Sequence, residues 1–152
     1  MPQILTKYFG SMECHDEAII RLPTGLPAFE EETRFLAIEP VESDPLCFLQ
    51  SLRQQDLCFL TLPILTIDPA YRLIMTPEDI ESLGLEAGRQ PLIGAEVDCL
   101  AILVAPENGS PTVNLLAPVV INRHNRVAIQ AIRLDSIYSH QHPLLSSVDV
   151  CS

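Results

Sequence analysis

The run Asp98-Cys-Leu-Ala-Ile-Leu-Val-Ala105 is the part of this sequence that says most about its fold. A β-strand built from it would be apolar on both faces, and such a strand is expected at the centre of a sheet. Other short runs rich in Ile, Val, Leu, Phe and Thr recur between the 13 prolines, which favour strand ends. Together these runs predict strands over residues 3–9, 18–22, 34–38, 47–52, 57–63, 71–75, 98–105, 112–121 and 127–134.

One segment carries clear helix signals. Thr76-Pro-Glu-Asp79 offers an N-cap threonine, a proline at the first helical position and an acidic residue at the third. The helix should include Leu83 and end at Gly84. A second helical segment over residues 85–89 is weaker. Many strands with one short helix near residues 77–83 predict a mainly β protein, a single-domain antiparallel β-barrel or sandwich.

Charge limits the possible partners. The 152 residues include 20 Asp and Glu against 9 Lys and Arg, and the formal net charge is −11. The apolar content of 47% is too high for a disordered chain. The length of the chain predicts one domain over residues 1–152. Lys7 is the single lysine, so we expect no direct nucleic-acid binding, which needs clustered basic residues. A partner attracted by charge should be basic.

The termini and cysteines predict the compartment. The first ten residues lack the features of a secretory signal, and no apolar run approaches the ~18 residues of a membrane span. Five irregularly spaced cysteines suggest reduced thiols in a cytosol. Cys47, Cys58 and Cys99 lie in apolar runs and are interpreted as core residues. The weak pattern after Pro143 predicts a loose tail.

Common catalytic motifs are absent, which favours a protein that is not an enzyme. The sequence has no G-x-S-x-G, P-loop, G-x-G-x-x-G or H-E-x-x-H motif. An alternative stays open at His140 and His142, which would lie on one side of an extended segment. With Asp149 and Cys151 they could form the site of a small metal- or ligand-binding β-barrel, or of a hydrolase. The interpretation that we favour, a protein that is not an enzyme, involves no metal and no cofactor.

Acidic residues are dense between Glu30 and Asp44, where six carboxylates accompany one arginine. A concentrated charge of one sign steers association with a partner of opposite sign. The alternative is a solvated acidic loop. The candidate partner-binding acids are Glu30, Glu31, Glu32, Glu39, Glu42 and Asp44.

Three amides lie in apolar surroundings: Gln50, Asn114 and Asn122. Buried amides need hydrogen-bond partners. They either tie sheet edges and turns together or face a partner's groove.

Five segments, in order over about residues 3–134, match the pattern of a known family. They are Thr6-Lys-Tyr-Phe-Gly10, Leu22-Pro-Thr-Gly-Leu-Pro-Ala-Phe-Glu30, Phe48-Leu-Gln-Ser51, the stretch from Pro69 to Leu83, and Thr112-Val-Asn-Leu-Leu-Ala-Pro-Val-Val-Ile-Asn122 followed by Gln130. With them the chain resembles the FliW family of bacterial flagellar assembly factors. The family reads F-P-x-G-L-P-G-F-E in the second segment, where this chain has Leu22 and Ala28; Ala128 also stands where glycine is common.

The resemblance implies a cytoplasmic, non-catalytic β-barrel-like protein. Proteins of this family bind newly made flagellin and CsrA, a small RNA-binding repressor of flagellin translation. Export of flagellin frees the protein to capture CsrA, which relieves repression. The resemblance also makes Phe29, Gln50, Asn114 and Asn122 candidate partner-binding residues, because they lie in matching segments.

Overall fold

The computed structural model describes residues 3–105, 109–132 and 137–144. In chain order its strands and helices are β1 (Gln3–Thr6), β2 (Gly10–Glu13), β3 (Ile19–Arg21), β4 (Arg34–Ile38), β5 (Cys47–Ser51), β6 (Cys58–Pro63), α1 (Ile64–Ile67), α2 (Pro77–Ser82), β7 (Val97–Val104), β8 (Thr112–Val113), β9 (Val119–Asn122), β10 (Ala128–Gln130) and β11 (His142–Pro143). The described residues also include 3-10 turns at Asp16–Ala18 and Val41–Ser43.

Strand β7 is central, as its apolar sequence predicts. It pairs antiparallel with β6, with β9 through residues 97–100, and with β8 through residues 103–104. The main sheet runs in the order β10-β9-β7-β6-β5-β4-β3, and β8 connects β11 to β7. The prediction of a mainly β, antiparallel fold is therefore confirmed.

The main sheet curls but does not close into a continuously paired barrel. In the described residues its end strands, β3 and β10, come together at a parallel bridge between Arg21 and Val127. The Arg21 amide donates to the Arg126 carbonyl at 3.0 Å. The inside of the curl holds an apolar cluster that includes Phe35, Leu49 and Ile121. Separately, β1 and β2 form a hairpin that packs over β4.

The helix signals are confirmed. The Asp79 amide donates to the Thr76 hydroxyl at 3.1 Å, Pro77 opens α2, and Gly84 lies just beyond its end with φ +72°. Ile80 and Leu83 pack against a second apolar cluster, which lies beneath α2. The second predicted helix, over residues 85–89, is wrong: that stretch is irregular, with a turn at residues 87–88. Sequence patterning missed the single-turn helix α1.

The predicted strand over residues 71–75 is also wrong. Tyr71, Leu73 and Met75 are buried alternately, as the pattern requires, but the stretch pairs with no strand, and at Met75 a side chain satisfies the backbone. The Met75 amide donates to Gln90 Oε1 at 2.7 Å, and Gln90 Nε2 donates to the Met75 carbonyl at 3.1 Å. Alternation alone does not separate a strand from an extended segment held this way.

Two predicted strands are divided by turns. The run over residues 3–9 ends at Thr6, whose hydroxyl accepts from the Phe9 amide and donates to the Gly10 carbonyl, both at 2.9 Å. The run over residues 112–121 breaks after β8, where Asn114 turns the chain. The last predicted strand shortens to β10, and residues 133–134 lie outside the described ranges.

No helix among the described residues is long and apolar enough to cross a membrane.

Candidate functional site

The acidic run at Glu30 begins at a tight corner between β3 and β4. The Gly25 amide donates to the Leu22 carbonyl at 2.8 Å, and the Phe29 amide donates to the Leu26 carbonyl at 2.7 Å. Gly25 has φ +65°, and Ala28 also adopts a left-handed conformation, with φ +72°. The Ala28 amide donates to the Glu30 carboxylate at 2.9 Å. The corner turns the side chains of Glu30 and Glu31 to solvent, where both are exposed.

Glu32, one of the candidate partner-binding acids, is buried, so it fits neither a partner-facing surface nor the alternative of a solvated acidic loop. Its side chain is 2% exposed and accepts from the Ser51 hydroxyl at 2.5 Å, Arg53 Nη1 at 2.8 Å and Gln54 Nε2 at 2.7 Å. The hydrogen bond from Ser51 is the main reason that its pKa lies below the usual glutamate range. A buried carboxylate with this many donors is structural, and it fixes the corner to the end of β5.

Replacing Glu32 with glutamine should lower the free energy of unfolding by about 1–3 kcal/mol at pH 7, because charge-assisted hydrogen bonds are lost. Since folding depresses this pKa, its stabilisation is complete above the unfolded glutamate pKa of about 4.3. It disappears as the pH falls toward and through the folded pKa. Urea unfolding at several pH values should therefore show a gap between wild type and Glu32→Gln that is constant above pH ~5 and shrinks below pH ~4. The exposed neighbour supplies the control: Glu31→Gln should show no gap, and a gap that persists undiminished in acid would contradict the account.

The three amides act as internal ties. Gln50 is fully buried, and its Nε2 donates to the carbonyls of Ser51 and Gln54, both at 3.1 Å. Asn114 Oδ1 accepts from the amides of Leu116 and Ala117. Asn122 is 5% exposed and donates to the Leu83 carbonyl at 2.6 Å. These contacts favour the structural alternative for all three residues.

Phe29 is half-exposed beside this corner. Its ring packs edge-on against Phe59, with centroids 5.3 Å apart, and 37% of the residue remains exposed. It thus anchors the corner while presenting part of an aromatic face to solvent, next to Glu30 and Glu31.

The second part of the acidic run borders an apolar groove. The groove, about 550 Å³, lies between the β1–β2 hairpin and the end of β4. Its floor includes Phe9, Met12 and Leu36. Its acidic residues are Glu13, Glu39 and Glu42. We call this feature the acidic groove.

Position along the chain explains why the sequence identified only part of the acidic groove. Glu39 and Glu42 belong to the dense run and were predicted, and exposed Asp44 follows the 3-10 turn that carries Glu42. Glu13 is distant in sequence and joins them because the hairpin packs over β4. Its carboxylate pairs with His15 Nε2 at 3.0 Å. The apolar floor was missed for the same reason, because its residues come from the hairpin and from β4.

The cysteines are confirmed as core or partly buried residues. Burial raises the pKa of the Cys47 and Cys99 thiols to about 12 and that of Cys58 to about 11. Such thiols stay protonated near neutral pH and make poor nucleophiles.

His140 is exposed and His142 is half-buried in β11. The described residues contain no group of three His, Cys, Asp or Glu side chains placed to hold a metal ion. Asp149 and Cys151, the other members of the alternative site, lie outside the described ranges.

Comparison with known proteins agrees with this architecture. The family model described as "FliW protein" matches residues 3–144. The flagellar assembly factor FliW of Natranaerobius thermophilus is 31% identical over 95% of this chain and 93% of its own length. That of Bacillus subtilis is 32% identical over 93% of this chain and 95% of its own. A crystal structure of the flagellar assembly factor FliW superposes with a TM-score of 0.81 at 30% identity, covering 96% of this chain and 99% of the other.

Proposed function

This chain belongs to the FliW family of flagellar assembly factors, and we propose that it is a cytoplasmic, non-catalytic protein that binds flagellin and a CsrA-type translational regulator. In this proposal the whole chain works as one β domain. Flagellin occupies it until export, after which the freed protein captures the regulator and relieves repression of flagellin translation.

The observation that carries the proposal is the acidic groove. CsrA-type proteins bind RNA through basic surfaces, so a protein of net charge −11 attracts them. The apolar floor at Phe9, Met12 and Leu36 offers area for a partner to bury, and the acids on the rim set its orientation. The same groove would repel RNA, because both are negatively charged. In this proposal the protein therefore controls an RNA-binding partner without binding the RNA that the partner recognises.

The corner at Phe29, Glu30 and Glu31 supplies a second exposed acidic surface. It lies on the same acidic run as the groove and is proposed to extend the contact. Glu32, Gln50 and Asn122 are buried, and Asn114 bonds its own turn, so these four residues support the surface from within.

Gel filtration of purified components tests the partners directly. This protein should co-elute with a CsrA-type regulator and, in a separate run, with flagellin. Flagellin added before the regulator should reduce the amount of regulator that co-elutes. If neither protein shifts its elution position at low salt, the proposed function is wrong.

A further inference from the structure

A cavity of about 400 Å³ lies at one end of the curled sheet, where β4, β6 and β9 end and β5 and β7 begin. Its apolar lining includes Ile20, Leu100 and Ile121 from three different strands. Its charged lining comprises Glu39, Asp98, Arg123 and Arg126. This volume is within the range of small-molecule sites, which combine apolar walls with a few polar groups.

Arg126 carries two unfavourable features at once. Its φ is +62°, a left-handed conformation in the loop between β9 and β10 that glycine or asparagine adopts at lower cost. Its Nε is buried and has no hydrogen-bond partner in the described part of the chain. Because arginine cannot lose its charge, the unpaired donor cannot be relieved by deprotonation. Because the buried Nε is itself closed to solvent, it is the backbone strain and the charge of the guanidinium as a whole that together point to a ligand.

The neighbouring charges leave Arg126 available. Arg123 Nε pairs with Asp98 at 3.7 Å, and Arg123 Nη1 donates to the Gly94 carbonyl. Glu39 and Arg126 both act electrostatically on the Cys47 thiol, yet no ion pair joins them within the described residues. Among the described residues that line the cavity, Arg126 is therefore the one positive group that lacks an ion-pair partner.

We propose that this cavity binds a small organic monocarboxylate. Its carboxylate pairs with the guanidinium of Arg126, whose planar donors match two carboxylate oxygens. Its apolar tail lies against Ile20, Leu100 and Ile121. The negative charge of Glu39 disfavours an anion of higher charge, such as phosphate. This site does not depend on the protein partners proposed above.

Titration with hexanoate, followed by NMR of the ¹⁵N-labelled protein, tests the proposal. A ligand of this size is expected to bind with a dissociation constant of about 1 mM. Shifts should concentrate at the amides of Ile20, Leu100 and Arg126. The variant Arg126→Gly relieves the left-handed strain, so it should fold at least as stably as wild type while binding hexanoate at least tenfold more weakly. The matched control, Arg72→Ala, removes an exposed arginine outside the cavity and should bind as wild type does.

Several results would overturn the monocarboxylate site. No shifts up to ~10 mM hexanoate would mean that the cavity does not accept this ligand. Equal affinity in Arg126→Gly would show that the guanidinium takes no part. Equal binding of hexanol would show that apolar contacts alone hold the ligand and that its carboxylate contributes nothing. Stronger binding of inorganic phosphate would show that the assigned ligand class is wrong.

Discussion

Replacing Gly25 with alanine is expected to lower the free energy of unfolding by about 3–5 kcal/mol, the sum of left-handed strain and overpacking. The added Cβ would lie 2.6 Å from both the Glu30 Cα and the Phe29 carbonyl oxygen. Both are backbone atoms, so the clash cannot be relieved by a side-chain rotation. The corner would have to open, and Glu32 would lose its position beside Ser51. Urea unfolding of the purified variant measures the loss.

Gly10 supplies a control with nearly the same backbone. Its φ is +68°, and an added Cβ would meet nothing within 4 Å. Gly10→Ala should therefore cost only the left-handed strain, about 1–2 kcal/mol. Equal losses in the two variants would show that the close approach of the corner contributes nothing.

Reversing the charge of the acidic groove should have the largest effect on partner binding. The double variant Glu39→Lys, Glu42→Lys replaces two exposed carboxylates at its rim with ammonium groups. A basic regulator would then meet like charge, which costs several kcal/mol. We expect the affinity of the double variant for the regulator at low salt to fall by about 100-fold. Most of this loss should come from a slower association rate.

The matched control makes the same charge change elsewhere. Glu78→Lys, Glu81→Lys alters two exposed acids of α2, away from the groove. It should weaken binding by less than about threefold, since distant exposed charges are screened. Calorimetric titration of the regulator into each variant makes the comparison. Similar losses in both variants would show that overall charge, and not the groove, governs capture.

Local signals predicted the centre of the fold well. The apolar run of β7 requires burial on both faces whatever surrounds it, and α2 carries its own N-cap and stop signal. The strand prediction over residues 71–75 was wrong because the backbone at Met75 bonds the side chain of Gln90 and not a neighbouring strand, and such a partner has no periodic signature.

The candidate site was predictable only in part because its members come from distant segments. Glu30, Glu31 and Glu32 are three identical neighbours, yet one is buried because Ser51 lies beneath the corner. Charge density identified Glu39 and Glu42, but the groove they border exists because the β1–β2 hairpin packs over β4. Nor does the sequence mark Arg126, whose unusual features are a backbone angle and an unmade hydrogen bond.

Titration of a purified CsrA-type regulator into the wild-type protein, at about 50 mM and about 300 mM salt, tests the central claim most directly. The account predicts a defined stoichiometric complex at the lower salt concentration and a clearly weaker one at the higher, because opposite charges on exposed surfaces are screened. No complex at low salt, or an affinity that does not change with salt, would contradict it.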